Sequence, residues 1–222
     1  AAGHHLCVPS FWIFARRRRA RGQEPGRARS VASIFYYIGK VFSDSGYEVC
    51  FLDIMQPLID EMNRRGGYTV RIVSNAETVN APVKNVRAVN SSTEQALEEI
   101  ATCDIMATAV GVNVLPKIAP VIAEGVKKRM RESGRPLDII LCENQLEADV
   151  LMRGWINERL NDEEKAWAEK NLGLVEASIG RIVPPLTPEE KAKDSLLICV
   201  EPYCELPVDK AAFKGEIPDL VG

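Results

Sequence analysis

The chain has 222 residues, 46% of them hydrophobic and 27% charged, with a net charge of -3. That length and balance suit one large globular domain with a sizeable core and exclude a low-complexity or collagen-like chain. Seven arginines against Glu24 give residues 1–30 a charge of +6 and leave -9 for residues 31–222, so the body offers no broad basic surface and nucleic acid is not an expected partner.

Residues 1–31 read as a basic arm without helix or strand period. The run L-C-V-P-S-F-W-I-F-A at 6–15 is roughly half a membrane span and carries Pro9. Four arginines follow it at 16–19, whereas a secretory signal places its charge first, and no membrane partner is expected. A solvated, disordered segment is the expectation for the arm. His4 and His5 are the only histidines, which argues against a zinc site or a histidine-based catalytic pair in this chain. Cys7, Cys50, Cys103, Cys142, Cys199 and Cys204 lack close-paired metal spacing, and several sit in apolar runs, the pattern of buried free thiols in a reduced, cytosolic protein.

From residue 32 helix and strand patterns alternate. A helix at 32–45 stops at Gly46 and leads to a strand at 48–53; a helix at 55–65 ends at Gly66-Gly67. Strands at 68–73 and 85–89 bracket a polar turn with Pro82, and a helix at 93–101, opened by S-S-T-E, leads to a strand at 104–110. Apolar positions at Val114, Leu115, Ile118, Val121, Ile122 and Val126 predict one buried face on a helix over 114–132. The run L-D-I-I-L-C at 137–142 has the continuous apolarity of a strand buried on both faces of a parallel sheet. Helices at 145–160 and 162–171 precede β-rich runs at 173–179 and 195–201, with proline-rich V-P-P-L-T-P between them at 183–188. The alternation predicts one α/β domain over 32–222, a Rossmann-like doubly wound, mostly parallel sheet with extra strands near its C-terminal end.

Ligands of such sheets bind outside the carboxyl ends of the strands, so the residues closing each strand are the candidates. Asp53 closes the second one, where a carboxylate accepts both adenosine ribose hydroxyls and favours NAD over its 2'-phosphorylated form; a helix-capping aspartate fits the position equally well. Thr108, Ala109, Val110 and Gly111 form a small-residue strand end that lets backbone approach a cofactor, though a loop glycine without ligand reads the same way. Glu143 and Asn144 stand together after the apolar run at 137–142. Asn144 is suited to donate to a developing alkoxide or carbonyl oxygen, and equally to cap a helix.

Several segments then carry a resemblance in one order: D-I-M-A-T-A-V-G, L-P-K-I-A-P-V-I-A-E-G, L-D-I-I-L-C-E-N, R-I-V-P-P and V-D-K-A-A-F-K-G. From about Ile38 to Gly222 the sequence resembles the amino-terminal half of the mannitol-1-phosphate 5-dehydrogenase family, among the polyol-specific long-chain dehydrogenases. The resemblance implies NAD as cofactor and hydride transfer between mannitol 1-phosphate and fructose 6-phosphate. It implies Asp53 as the ribose acid, Thr108 to Gly111 as the loop over the cofactor, Asn144 as the amide that polarises the substrate oxygen, and Glu143 beside it facing nicotinamide or substrate.

The sequence also departs from that family. Its G-x-G-x-x-G-R-G-F falls on R-S-V-A-S-I-F-Y-Y at 29–37, so the phosphate-binding glycines are missing and Ile34, Phe35 and Tyr36 are expected to obstruct the phosphate site. Residues 1–33 read as an out-of-frame replacement of the first strand and turn, leaving the sheet without a central member. The run at 6–15 is a substitute strand only against the objection of Pro9. Gly180 stands where an aspartate precedes the arginine in that family. The catalytic lysine, asparagine and histidine belong to a helical domain beyond P-D-L-V-G, so this chain alone is expected to be inactive. A non-catalytic α/β module that uses the arginine arm to bind RNA or another anion is the alternative.

Overall fold

The computed structural model describes residues 12–17, 34–74, 76–178, 186–202 and 205–220. Among them a six-stranded sheet runs in the spatial order β5 (Val86–Asn90), β2 (Tyr47–Asp53), β1 (Trp12–Arg17), β6 (Ile105–Thr108), β7 (Leu137–Leu141), β8 (Leu172–Glu176). Counted by chain order within the sheet this is 3-2-1-4-5-6, the order of a dinucleotide-binding doubly wound fold. β2 with β5, β6 with β7, and β7 with β8 pair in parallel.

β1 departs from that pattern and from the sequence expectation. It lies antiparallel to both neighbours, Trp12 opposite Leu52 and Thr108, and Ala15 opposite Val49 and Ile105. The segment expected to be a solvated arm thus supplies the central strand over Trp12–Arg17, and the expected gap in the sheet is filled. Its local chemistry explains why: W-I-F-A is apolar and β-prone, and the strand Trp12–Arg17 itself contains no proline; Pro9 lies outside the described residues. Ala15 is fully buried, and Arg16 turns to Thr102 and to Glu99, 3.6 Å away. The remaining arm residues with Cys7, His4 and His5, the counterpart of the glycine fingerprint over 29–33, the side chains of 34–37, Gly180, V-P-P at 183–185 and Cys204 lie outside the described residues.

Alternation along the strands sends side chains to two cores. Val49, Phe51, Ile105, Ala107, Ile140 and Val175 face α1 (Ile34–Asp44), α2 (Gln56–Arg65) and a three-stranded sheet of β4 (Thr78–Lys84), β3 (Gly67–Val73) and β9 (Leu197–Val200). Cys50, Leu52, Met106, Ile139, Leu141 and Leu174 face α3 (Glu94–Thr102), α4 (Leu115–Glu132), α5 (Ala148–Asn157) and α6 (Asp162–Asn171). Helix α1 is held between the two sheets at Gly39, where an added Cβ would lie 2.6 Å from Phe51 Cζ and 2.7 Å from the Tyr68 hydroxyl. Cys50, Cys103, Cys142 and Cys199 are buried free thiols.

β4 occupies the stretch expected as a turn. Pro82 has no N–H to give, but β4 is an edge strand of the small sheet with only Val83 buried, where a missing donor costs nothing. A short helix, α7 (Pro188–Lys193), opens with a capping box between Thr187 and Glu190.

The segment after β9 runs back along β8 as a strap. At one end Ala177 bridges Val208, and Asp209 N–H donates to the Glu176 carbonyl at 3.0 Å. At the other, buried Asp138 accepts from Lys214 N–H at 2.7 Å and Gly215 N–H at 3.0 Å.

Candidate functional site

Five parallel strands end at one edge of the main sheet, and the residues that follow them shape the candidate site. At β2, Asp53 is 0% exposed; its carboxylate accepts from Met55 N–H and its carbonyl from Ser91 N–H, which orders the entry to α2. β1 separates it from β6, so Asp53 and Thr108 stand about 10 Å apart across the strand direction.

After β6, Thr108 and Val110 are buried, Ala109 is half-buried and Gly111 is exposed, so this loop offers a ligand two small residues. Gly111 has φ +86°, a conformation that only glycine takes without strain. Its carbonyl accepts from Val114 and Leu115 N–H at 2.9 and 3.3 Å, tying the loop to the start of α4.

Glu143, after β7, is 7% exposed and reaches across to that loop. Its carboxylate accepts from Val110 N–H at 2.8 Å and from Gly111 N–H at 2.9 Å. The Thr108 hydroxyl faces it and favours the ionised form without completing a well-formed hydrogen bond. Burial outweighs these donors and lifts the carboxyl above its ordinary value. Asn144, the next residue, is exposed and lines an open cleft of about 490 Å³.

That cleft lies between the ends of β7 and β8. Gln145, Glu176, Ser178, Val208 and Asp209 line it with Asn144. Glu176 accepts from Ala148 N–H at 2.8 Å and Asp209 from Ala211 N–H at 2.9 Å, so each carboxylate is anchored. Sequence reasoning missed both. Glu176 closes β8 in the structure, but the expected run extends to 179 and places it mid-strand, so the rule that selects Asp53 passes over it; Asp209 reaches the cleft only through the strap. Exposed apolar side chains rim the same edge, Ile54 after β2, Val112 after β6 and Leu146 after β7, the last at 89% exposure. The structure therefore joins Thr108, Ala109, Val110, Gly111, Glu143 and Asn144 in one place and leaves Asp53 two strands away.

A family model described as the mannitol dehydrogenase Rossmann domain matches residues 32–222. The chain belongs to this family. Two solved structures similar to this mannitol dehydrogenase Rossmann domain agree in fold. One is Pseudomonas fluorescens mannitol 2-dehydrogenase, in a ternary complex with NAD and D-mannitol, at 12% identity and a TM-score of 0.61 over 72% of this chain and 42% of that one. The other is a substrate-free D-sorbitol dehydrogenase, at 12% identity and a TM-score of 0.59 over 70% of this chain and 41% of that one. The domain thus spans less than half the length of either neighbour. Among the described residues, no helix is long and apolar enough to cross a membrane.

Proposed function

We propose that this chain is the cofactor domain of a cytosolic, NAD-dependent polyol dehydrogenase, with mannitol 1-phosphate and fructose 6-phosphate as the pair that the motif resemblance supports. The observation that carries the dehydrogenase reading is the cleft at the carboxyl ends of a 3-2-1-4-5-6 sheet, with the exposed amide of Asn144 in its wall. The small face of Ala109 and Gly111 beside that cleft fits the close approach of a flat cofactor ring, and the rim of Ile54, Val112 and Leu146 suits apolar ring faces. Asp53 would serve the adenosine ribose after its bond to Met55 N–H is exchanged for ribose hydroxyls.

NAD bound there supplies the hydride acceptor for a carbinol carbon. Asn144 would donate its side-chain N–H to the carbinol oxygen as that atom becomes a carbonyl. Glu176 and Asp209, each anchored through one oxygen, would accept from neighbouring substrate hydroxyls. The described lining contains no lysine or histidine, so in this reading the group that takes the carbinol proton comes from outside that lining.

Titration of NADH with the purified chain, followed by nicotinamide fluorescence, tests the reading. Saturable enhancement is the expected result; a flat trace up to about 1 mM, the upper end of ordinary substrate constants, would sink it. Competition by mannitol 1-phosphate against mannitol then decides the phosphate. The reversed β1 favours a second reading, a non-catalytic α/β module, because β1 runs toward the edge opposite the cleft, whereas the first strand of a dinucleotide-binding sheet runs toward it. A flat NADH trace from a folded chain is what that reading expects.

A further inference from the structure

We propose that Glu143 is a positioning residue: its carboxylate pins the β6-to-α4 loop through the N–H groups of Val110 and Gly111, and so sets the surface against which the nicotinamide half of the cofactor lies. The proposal rests on the dehydrogenase reading for its last clause only. The pin itself is a matter of geometry.

Two backbone donors in succession point at one carboxylate, at 2.8 and 2.9 Å, across adjacent strands. Because both donors meet the same carboxylate, the loop forms a small concavity of N–H groups of the kind that holds anions. Glu143 fills that concavity from within the protein. These two donors are therefore spent, and an incoming phosphate finds no anion seat between them. What remains for a ligand is the outer side of Ala109 and Gly111, held at fixed height.

The same residue fixes its neighbours. Cys142 N–H donates to the Thr108 carbonyl at 2.9 Å, so Glu143 starts from a backbone already locked to the end of β6. Asn144 follows directly, and its entry into the cleft is set by where Glu143 is held. A doubly wound sheet is built of two mononucleotide-binding halves: β2 and Asp53 belong to the first, β6, β7 and Glu143 to the second. Loosening Glu143 should therefore disturb the nicotinamide half and spare the adenosine half.

The test compares the wild-type chain with Glu143→Gln and Glu143→Asp in two measurements. Amide hydrogen exchange reads the pin directly. Val110 and Gly111 should exchange at least about tenfold faster in Glu143→Gln, whose amide nitrogen would face a donor, and also in Glu143→Asp, which keeps the charge but falls one methylene short. Unchanged protection of the two amides in both variants overturns the proposal. The second measurement titrates NADH and AMP separately. Both variants should weaken NADH by about tenfold while AMP affinity stays within about twofold. Equal weakening of NADH and AMP with a lowered melting temperature would reduce Glu143 to a general structural role and overturn the proposal, as would unchanged NADH affinity alongside accelerated exchange. Failure of the wild-type chain to bind either nucleotide would remove the dehydrogenase reading and the nicotinamide clause with it, and the exchange data would still decide the pin.

Discussion

Arg129 is the largest fully buried side chain among the described residues, and all three of its guanidinium nitrogens donate to carbonyl oxygens. Nη1 donates to Ile100, Ala101 and Cys103, Nε to Arg135 and Nη2 to Pro136, at 2.6 to 3.2 Å, tying the end of α3 to the entry of β7. Desolvation pulls its pKa below the ordinary value, the mark of a cation held for its donors rather than for a charge partner. Arg129→Met keeps the stem and strands the carbonyls, and should cost about 3 kcal/mol or more in urea unfolding. Lysine, lacking the planar fork, should recover less than half of that loss. Glu143 gives a pH signature at the same scale. Its folded-state pKa lies above the ordinary 4.5, so folding favours the protonated form; the group's stabilising contribution is complete below pH 4.5 and is lost as pH rises through the raised value. The stability of wild type relative to Glu143→Gln should therefore fall from pH 4.5 toward neutrality. A difference that stays constant with pH would show an ordinary carboxyl.

At the scale of elements, α3 and α4 pack closely because Gly125 carries no side chain: a Cβ there would meet three Ile100 atoms at 2.5 to 2.6 Å. Gly125→Ala should cost about 1–3 kcal/mol, and Ile100→Val in the same chain should recover part of it, a coupling that a double-mutant cycle measures. Additive effects would show that the helices move apart freely. Most of these elements were legible from hydrophobic period: each helix from α1 to α6 and each strand of the main sheet except β1 lies within a few residues of its expected place. Those that were not share a physical cause. T-V-N-A-P-V-K reads as a turn because only Val83 is buried and Pro82 is tolerated solely by an edge position, which local sequence does not reveal. W-I-F-A-R-R is masked by the arginines after it and Pro9 before it. The site was legible in pieces: T-A-V-G and C-E-N were both selected as strand ends, but the bond between them depends on β6 and β7 lying side by side, a long-range fact. Asp209 reaches the cleft through a strap with no periodic signature.

For the whole molecule, the reversed central strand makes the fold depend on residues that look dispensable. Removing residues 1–17 would leave β2 and β6 with unpaired ladder groups in the middle of the sheet and remove Ala15 from the core. The expected outcome is a broadened thermal transition, dye binding by exposed apolar surface and aggregation by light scattering. A sharp, cooperative melt of the shortened chain would mean that β2 and β6 close on each other. Because Arg16 is already committed to Glu99 and Thr102, RNA affinity, if measured, should not depend on Arg16; a marked drop with Arg16→Ala in a chain of unchanged stability would contradict this.

The strap along β8 has a consequence for how molecules meet. β8 ends the main sheet, and a bare terminal strand is a template on which another chain can add its own strand. Here the segment from Pro207 to Gly215 lies over that border, joined at Ala177 and Asp209 above and clasped by Asp138 below. Pairing at Ala177 and Glu176 occupies the upper end of that border while Val208, Ala212 and Phe213 pack on the sheet face beside it, so association between copies through that end of β8 first requires a copy to release its own strap. Asp138→Asn, which replaces one of the two accepting oxygens with a donor, should leave the fold in place and make the chain's rate of self-association rise steeply with concentration.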